Sequence, residues 1–305
     1  MSVEDVSQTR PLRSWRAGHY VWPGGRTKIV LLGGVGTRTG DAERGFSGLV
    51  RFLSEHGGYD PRRDILEGTY AGSEVDGVWR PTPYAGADTR RPLIESVEAV
   101  AGCLDWYRKA LSDDTRLCVL GYSLGGVVGL DGSTLAVARD RQGWRGRLGA
   151  VVTLAAPVRG CSAGALMNWA WLVTNEPDPL GLAGRDLDAR WKDPEEQKRL
   201  ERRAAFLRTA GTRVLTLADP GDAVVQPEEA VLPASGESAA DLEMRVRVTR
   251  PGTLGHGAIL DEPTVWRRVL AAIGPQGGQA QAAAVPIDDE LEALKARLRR
   301  EGRIK

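Results

Sequence analysis

The order of apolar and polar residues along the chain predicts strands that alternate with helices. Short apolar runs predict buried strands at 28–32, 116–120, 150–154 and 213–217. Apolar residues three and four positions apart predict helices at 42–55, 93–111, 193–208 and 263–273, and another helix opens at Val127. Strands alternating with helices over this length favour an α/β fold with a mostly parallel central sheet flanked by helices.

Other stretches carry weaker patterns. Residues 19–22, 64–70 and 243–249 are predicted to be strands because they are rich in apolar and β-branched residues. Residues 71–88 are rich in Gly and Pro, so we expect a loop there.

A long connection interrupts the predicted alternation of strands and helices. Fifty-eight residues lie between Leu154 and Arg213, which is more than one crossover helix needs. The sequence therefore predicts a helical cap or lid insertion at about 159–210.

The segments at the two ends differ in character from the predicted α/β domain, residues 15–273. Residues 1–14 are polar without periodicity, which predicts a flexible tail. Residues 274–286 are low in complexity and predict a linker. Residues 287–305 have apolar side chains at steps of three and four, and predict an amphipathic helix that is a candidate for self-association or for docking a partner.

Composition narrows the class of protein. The 305 residues contain 41 Lys and Arg against 40 Asp and Glu, so no basic excess favours nucleic-acid binding. The sequence has no transmembrane segment and no secretory signal, which predicts a soluble, cytoplasmic protein. Three cysteines without a Cys-x-x-Cys spacing and three scattered histidines predict neither a disulfide framework nor a metal site.

One motif carries a specific chemistry. Gly121–Gly125 reads Gly-Tyr-Ser-Leu-Gly and lies between a predicted buried strand and a predicted helix. A sharp strand-to-helix turn of this kind exposes the serine hydroxyl and needs glycines at its flanks, because a Cβ there would clash. Ser123 is therefore a candidate nucleophile, and the alternative is a tight turn with a packing serine.

A serine nucleophile needs a base, and the base needs a carboxylate that orients it. His256 is the one histidine after Ser123, and it lies in a Gly-rich loop between the last predicted strand and the last helix. Two carboxylates follow the strand at 213–217. Asp222 is favoured because Val224 and Val225 can anchor its loop, whereas Asp219 precedes a proline and is typical of a turn.

The backbone supplies candidate oxyanion donors. The N–H of Leu124 lies at the start of the helix that follows Ser123, and the loop Gly33–Gly36 lets the N–H of Val35 approach a reacting carbonyl. A dinucleotide-binding motif is the competing explanation for this loop. It is disfavoured because Thr39 stands where the third glycine belongs, so no cofactor is expected.

Residues 27–272 resemble the α/β-hydrolase superfamily, and within it the lipases and esterases. The resemblance depends on Gly121–Gly126, Thr153–Gly160, Asp222–Pro227 and Gly255–His256. It implies an α/β-hydrolase fold in which Ser123 is the nucleophile, Asp222 the acid and His256 the base. Gly33 departs from the pattern, since many members have His before the glycine of the oxyanion loop.

The resemblance implies cleavage of carboxylic esters through an acyl-enzyme. Tyr122, Met167, Trp169 and Trp171 are candidates for the wall of a pocket for an apolar acyl group, and the residues of the insertion are equally consistent with core packing. A thioesterase or an acyltransferase would use the same residues. A hydrolase fold that serves only as a binding scaffold is the alternative from another class.

Overall fold

The computed structural model describes residues 26–162, 178, 180–232, 243–245 and 256–276. Several predicted features lie outside the described residues: the tail at 1–14, the strand at 19–22, the helix at 287–305, most of the linker at 274–286, and Met167, Trp169 and Trp171.

Strands and helices alternate along the described chain. The strands are β1 (Thr27–Leu32), β2 (Ile65–Glu67), β3 (Gly72–Val75), β4 (Val78–Pro81), β5 (Arg116–Tyr122), β6 (Leu148–Leu154), β7 (Arg213–Ala218) and β8 (Glu243–Arg245). The α-helices are α1 (Asp41–Gly45), α2 (Ser47–Gly57), α3 (Leu93–Ala110), α4 (Leu124–Arg139), α5 (Arg141–Trp144), α6 (Gly181–Lys192), α7 (Pro194–Thr209), α8 (Pro227–Ala230) and α9 (Pro263–Ile273).

Within the described residues, six strands form one parallel sheet in the order β2-β1-β5-β6-β7-β8. This confirms the predicted parallel α/β architecture. Parallel pairing brings the carboxyl ends of all six strands to one edge. Among the described residues, the candidate site residues lie in the loops at that edge or, for Tyr122 and Leu124, at the adjoining ends of β5 and α4.

The central strands β1, β5, β6 and β7 are mostly apolar and are buried on both faces of the sheet. Val30 and Leu32 of β1 pack into the core beneath α3 and α4, whereas Ile29 and Leu31 pack into the core beneath α2 and α9. This alternation follows from the two-residue repeat of a strand. The three layers fix the carboxyl edge of the sheet as a rigid platform.

The prediction of a loop at 71–88 is wrong. β3 and β4 pair as an antiparallel hairpin, and a 3₁₀ helix follows at Gly86–Arg90. The hairpin turns at Asp76 and Gly77, whose φ angles of 52° and 72° are those that a two-residue hairpin turn requires. The Asp-Gly pair in the sequence is the signal for this turn. The strands that flank it are only four residues long and show no clear alternation of apolar and polar residues, so the sequence did not predict a hairpin.

Two helix boundaries also differ from prediction. The helix predicted at 42–55 is divided at Phe46 into α1 and α2. The helix predicted to open at Val127 begins three residues earlier, at Leu124, so that it follows Ser123 directly.

The described part of the insertion packs on the sheet. Helix α7 lies against α4 and β7, with Leu200, Ala204 and Leu207 buried. It is therefore the crossover helix between β6 and β7, and α6 precedes it. None of the described helices has the length and apolar character needed to cross a bilayer.

Candidate active site

Ser123 stands at a strained turn between β5 and α4. Its backbone has φ 54° and ψ −128°, a conformation that residues other than glycine rarely adopt and that costs about 1–3 kcal/mol. A Cβ at Gly121 would lie 2.3 Å from the Gly125 carbonyl oxygen, and one at Gly125 would lie 2.3 Å from that of Leu32. The glycines of the motif are thus required by close backbone approach.

His256 lies between Ser123 and Asp222. Its Nε2 is 3.0 Å from the Ser123 hydroxyl oxygen, and its Nδ1 is 2.7 Å from Asp222 Oδ2. Because an ionised carboxylate can only accept, Nδ1 carries the proton and Nε2 is left to accept from the serine. The imidazole and the carboxylate are buried, and the arrangement forms one continuous hydrogen-bond chain.

The two candidate carboxylates have different positions. Asp222 Oδ1 accepts hydrogen bonds from the N–H groups of Val224 and Val225, at 2.8 and 3.1 Å, which aims Oδ2 at His256. Asp219 Oδ1 accepts from the N–H of Gly221, as in an Asx turn. The structure therefore brings Asp222 to the histidine and uses Asp219 to shape the turn after β7.

The backbone beside Ser123 contains candidate oxyanion donors. The N–H of Leu124 belongs to the first turn of α4, where N–H groups have no acceptor within the helix. Gly34 lies against the serine, since a Cβ there would be 3.1 Å from Ser123 Cβ. In the part of the chain that the structure describes, the N–H of Val35 donates no hydrogen bond.

Three features of the described chain define its fold. The sheet is parallel, and Ser123 lies at the turn after its central strand β5. Asp222 and His256 follow on later loops, so the three residues occur in the order Ser, Asp, His. This is an α/β-hydrolase fold. No protein-family model matches the chain, and no curated protein matches it.

Solved structures with an overall likeness to the chain include hydrolases. A lipase–esterase related protein from Clostridium acetobutylicum covers 81% of this chain and 94% of its own, with 12% identity and a TM-score of 0.46. The peroxisomal α/β-hydrolase of Saccharomyces cerevisiae covers 95% and 89%, with 13% identity and a TM-score of 0.43. A Butyrivibrio proteoclasticus protein with bound ferulic acid covers 84% and 91%, with 16% identity and a TM-score of 0.42. The strand order of the sheet and the turn at Ser123 define the fold.

Of the four side chains predicted to line a substrate pocket, Tyr122 falls within the described hydrolase fold. Its ring lies 5.0 Å from that of His256, and burial raises the pKa of its hydroxyl well above the usual value. Tyr122 therefore remains neutral and packs beside the imidazole.

The sequence analysis did not identify three buried residues with polar groups that contact loops of the site: Glu67, Tyr70 and Glu229. Glu229 accepts hydrogen bonds from the N–H groups of Gln226 and Ser162, at 2.9 and 3.2 Å, and so ties the Asp222 loop to the segment after β6. Burial raises the pKa of its carboxyl. The Gln226–Glu229 spacing at the start of α8 is a capping-box signal that indicates the first contact. Nothing in the local sequence indicates the second.

Proposed function

We propose that the protein is a serine hydrolase that cleaves carboxylic esters through a Ser123–His256–Asp222 triad. The observation that carries the proposal is the hydrogen-bond chain from the Ser123 hydroxyl through both ring nitrogens of His256 to Asp222. A serine hydroxyl is a weak nucleophile at neutral pH and needs an oriented base of this kind.

The proposed reaction has two halves. His256 Nε2 takes the proton of Ser123 as its oxygen attacks the ester carbonyl, and Asp222 stabilises the imidazolium that forms. The amides of Leu124 and Val35 stabilise the oxyanion, each worth about 10²–10³ in rate. The leaving alcohol receives the proton from His256. Water, activated by the same histidine, then releases the acid from the acyl-enzyme and restores the serine.

The surroundings of Ser123 favour a neutral acyl group. Gly34 and Tyr122 lie against the serine. Glycine has no side chain to carry a charge, and the raised pKa of Tyr122 keeps its hydroxyl neutral. An uncharged ester can approach this surface without losing hydration of a charge.

Hydrolysis of p-nitrophenyl acetate and p-nitrophenyl hexanoate by the full chain tests the proposal. We expect Ser123→Ala to abolish turnover of both esters, and the matched control Ser54→Ala, in helix α2, to leave it unchanged. Turnover retained by Ser123→Ala at the wild-type rate would overturn the assignment. Adding an alcohol acceptor measures the share of acyl transfer to an acceptor other than water.

A further inference from the structure

The loop at 33–40 joins β1 to α1 and carries the proposed oxyanion donor Val35. Three side chains hold this loop from outside the site: Glu67 at the end of β2, and Tyr70 and Thr89 from the segment between β2 and α3. None of them contacts Ser123, His256 or Asp222 through a hydrogen bond within the described residues.

Tyr70 binds the first residue of the loop. Its hydroxyl donates a 2.6 Å hydrogen bond to the carbonyl oxygen of Gly33, and the side chain is 1% exposed. The ring of Tyr84, 5.1 Å away, packs against the Tyr70 ring. The carbonyl of Gly33 is therefore fixed by a donor that has no freedom to move.

The other two contacts hold the middle and the end of the loop. Thr89 Oγ1 accepts a 2.8 Å hydrogen bond from the N–H of Gly36, and Thr89 is fully buried. The carboxylate of Glu67 accepts from the N–H of Gly40. These three side chains thus hold the loop at its start, middle and end, and Thr39 also exchanges hydrogen bonds with the backbone of Tyr84.

Planar peptide bonds convert these contacts into the direction of the amides. The carbonyl of Gly33 and the N–H of Gly34 belong to one trans peptide and point in opposite directions, so the bond from Tyr70 sets where the Gly34 N–H points. The carbonyl of Gly34 accepts from Thr37 Oγ1 at 2.6 Å, which turns the N–H of Val35 away from Thr37.

We propose that Tyr70 is a positioning residue for the oxyanion hole, holding the peptides at 33–35 against Ser123 through its bond to Gly33. This proposal rests on the proposed function, because it assigns Tyr70 a role in the same reaction. A donor must lie within hydrogen-bond distance of the developing oxyanion to stabilise it. Loss of the bond leaves the peptide between Gly33 and Gly34 free to rotate, and this rotation shifts the adjoining peptide that carries the N–H of Val35. The shift lowers kcat, while binding of the uncharged ground-state ester is unaffected.

Tyr59 provides a matched control for the stability effect of removing a buried tyrosine hydroxyl. It also donates to a glycine carbonyl, that of Gly274, at 2.5 Å, and it is 2% exposed. Tyr59 follows α2 and lies away from the loop at 33–40. A purely structural role for Tyr70 predicts that Tyr70→Phe and Tyr59→Phe have the same effect on kcat.

The experiment measures kcat, KM and thermal unfolding of the full chain with p-nitrophenyl hexanoate. We expect Tyr70→Phe to lower kcat about 10- to 100-fold with KM within about twofold of wild type. We expect Tyr59→Phe to leave both constants unchanged. Inhibition by a phenylboronic acid, which forms a tetrahedral anion on the serine oxygen, should weaken by the same factor as kcat in Tyr70→Phe. A wild-type kcat in folded Tyr70→Phe would overturn the proposal.

Thr89→Val keeps the test decisive if Tyr70→Phe does not fold, because it removes the acceptor for Gly36 without changing side-chain volume. It should lower kcat and leave KM unchanged, because the proposal requires that the hydrogen bonds holding this loop from outside the site set the position of its N–H donors. A wild-type kcat in folded Thr89→Val would show that these hydrogen bonds do not control the rate, and would overturn the proposal. Labelling of Ser123 with a fluorophosphonate separates the two levels of the account. A labelled wild type with an unaffected Tyr70→Phe contradicts only the role of Tyr70, whereas an unlabelled, inactive wild type overturns the proposed function as well.

Discussion

His256 Nε2 lies 3.0 Å from the hydroxyl oxygen of Ser123, although 133 positions separate the two residues in the sequence. The contact forms because β5 ends at the same edge of the sheet as the loop that precedes α9. It places the proposed base beside a serine whose own backbone is strained, so the proposed chemistry at Ser123 would come at a cost in stability.

We expect Ser123→Gly to be more stable than Ser123→Ala by about 1 kcal/mol, because glycine relieves the strain of the positive φ and alanine does not. Both variants lose the hydroxyl, so both should be inactive. Urea denaturation of the two variants measures the difference. Equal stabilities would show that the turn at Ser123 stores no strain that a glycine relieves.

We expect Asp222→Asn to lower kcat by about 10³–10⁴-fold with little loss of stability. The asparagine oxygen can still accept from Val224 and Val225, but its amide group faces His256 Nδ1 and favours the wrong tautomer. Steady-state kinetics and thermal unfolding check both parts.

Asp219→Asn is the matched control for Asp222→Asn, since its oxygen can still accept from Gly221. Its kcat should remain within about twofold of wild type. The assignment of Asp222 would fail if the two variants lost activity equally.

The sequence predicts a structural feature well where the local geometry permits only one type of residue. A Cβ at Gly121 or at Gly125 would lie 2.3 Å from a backbone oxygen, so the motif that surrounds Ser123 marks a real geometric constraint. The order of Ser123, Asp222 and His256 was likewise readable, because parallel strands bring the loops that follow them to one edge. The preference for Asp222 over Asp219 depends on the two valines that follow Asp222 and on the proline that follows Asp219.

The residues that hold the site from outside could not be predicted in this way. Tyr70 and Glu67 belong to a short strand and the turn after it, where apolar periodicity does not reveal which polar side chain is buried. Their partners, Gly33 and Gly40, are more than twenty residues away in sequence. Contacts of a side chain with a distant backbone group leave no local signal, so the sequence does not indicate which side chains hold the loop at 33–40.

We expect the buried carboxyl of Glu67 to make the stability of the protein depend on pH. Burial raises the pKa of its carboxyl to about 7 from an ordinary value of 4.5, with Asp41 and Glu43 adding to the shift and the N–H of Gly40 and Arg44 opposing it. Between pH 4.5 and 7 the folded protein holds the proton more tightly than the unfolded chain. Stability therefore falls as pH rises through this range, by roughly 3 kcal/mol at most.

We expect Glu67→Gln to remove this slope, because Gln keeps an acceptor for Gly40 without ionising. The variant should gain stability relative to wild type between pH 5 and pH 8, measured by urea denaturation at both values. Glu98→Gln, on the exposed face of α3, should show a constant difference from wild type. A constant difference for Glu67→Gln too would contradict the prediction.

We expect Gly34→Ala to lower kcat at least about tenfold, because its Cβ would lie 3.1 Å from Ser123 Cβ and push the loop from the serine. The matched control is Gly129→Ala in α4, whose Cβ would meet Leu32 and Val119 side chains at the same distance. The control should keep its kcat within about twofold. Comparable losses in both variants would show that the effect is general crowding.

The reactivity of Ser123 in the folded protein is the most direct test of the central claim. The full chain is treated with a fluorophosphonate, and the adduct is located by peptide mass spectrometry, with His256→Ala and heat-unfolded protein in parallel. We predict one adduct, on Ser123, formed rapidly by the folded wild type and at least about 100-fold more slowly by His256→Ala. A folded wild type that forms no adduct on Ser123, or forms it as fast without His256, would contradict the account.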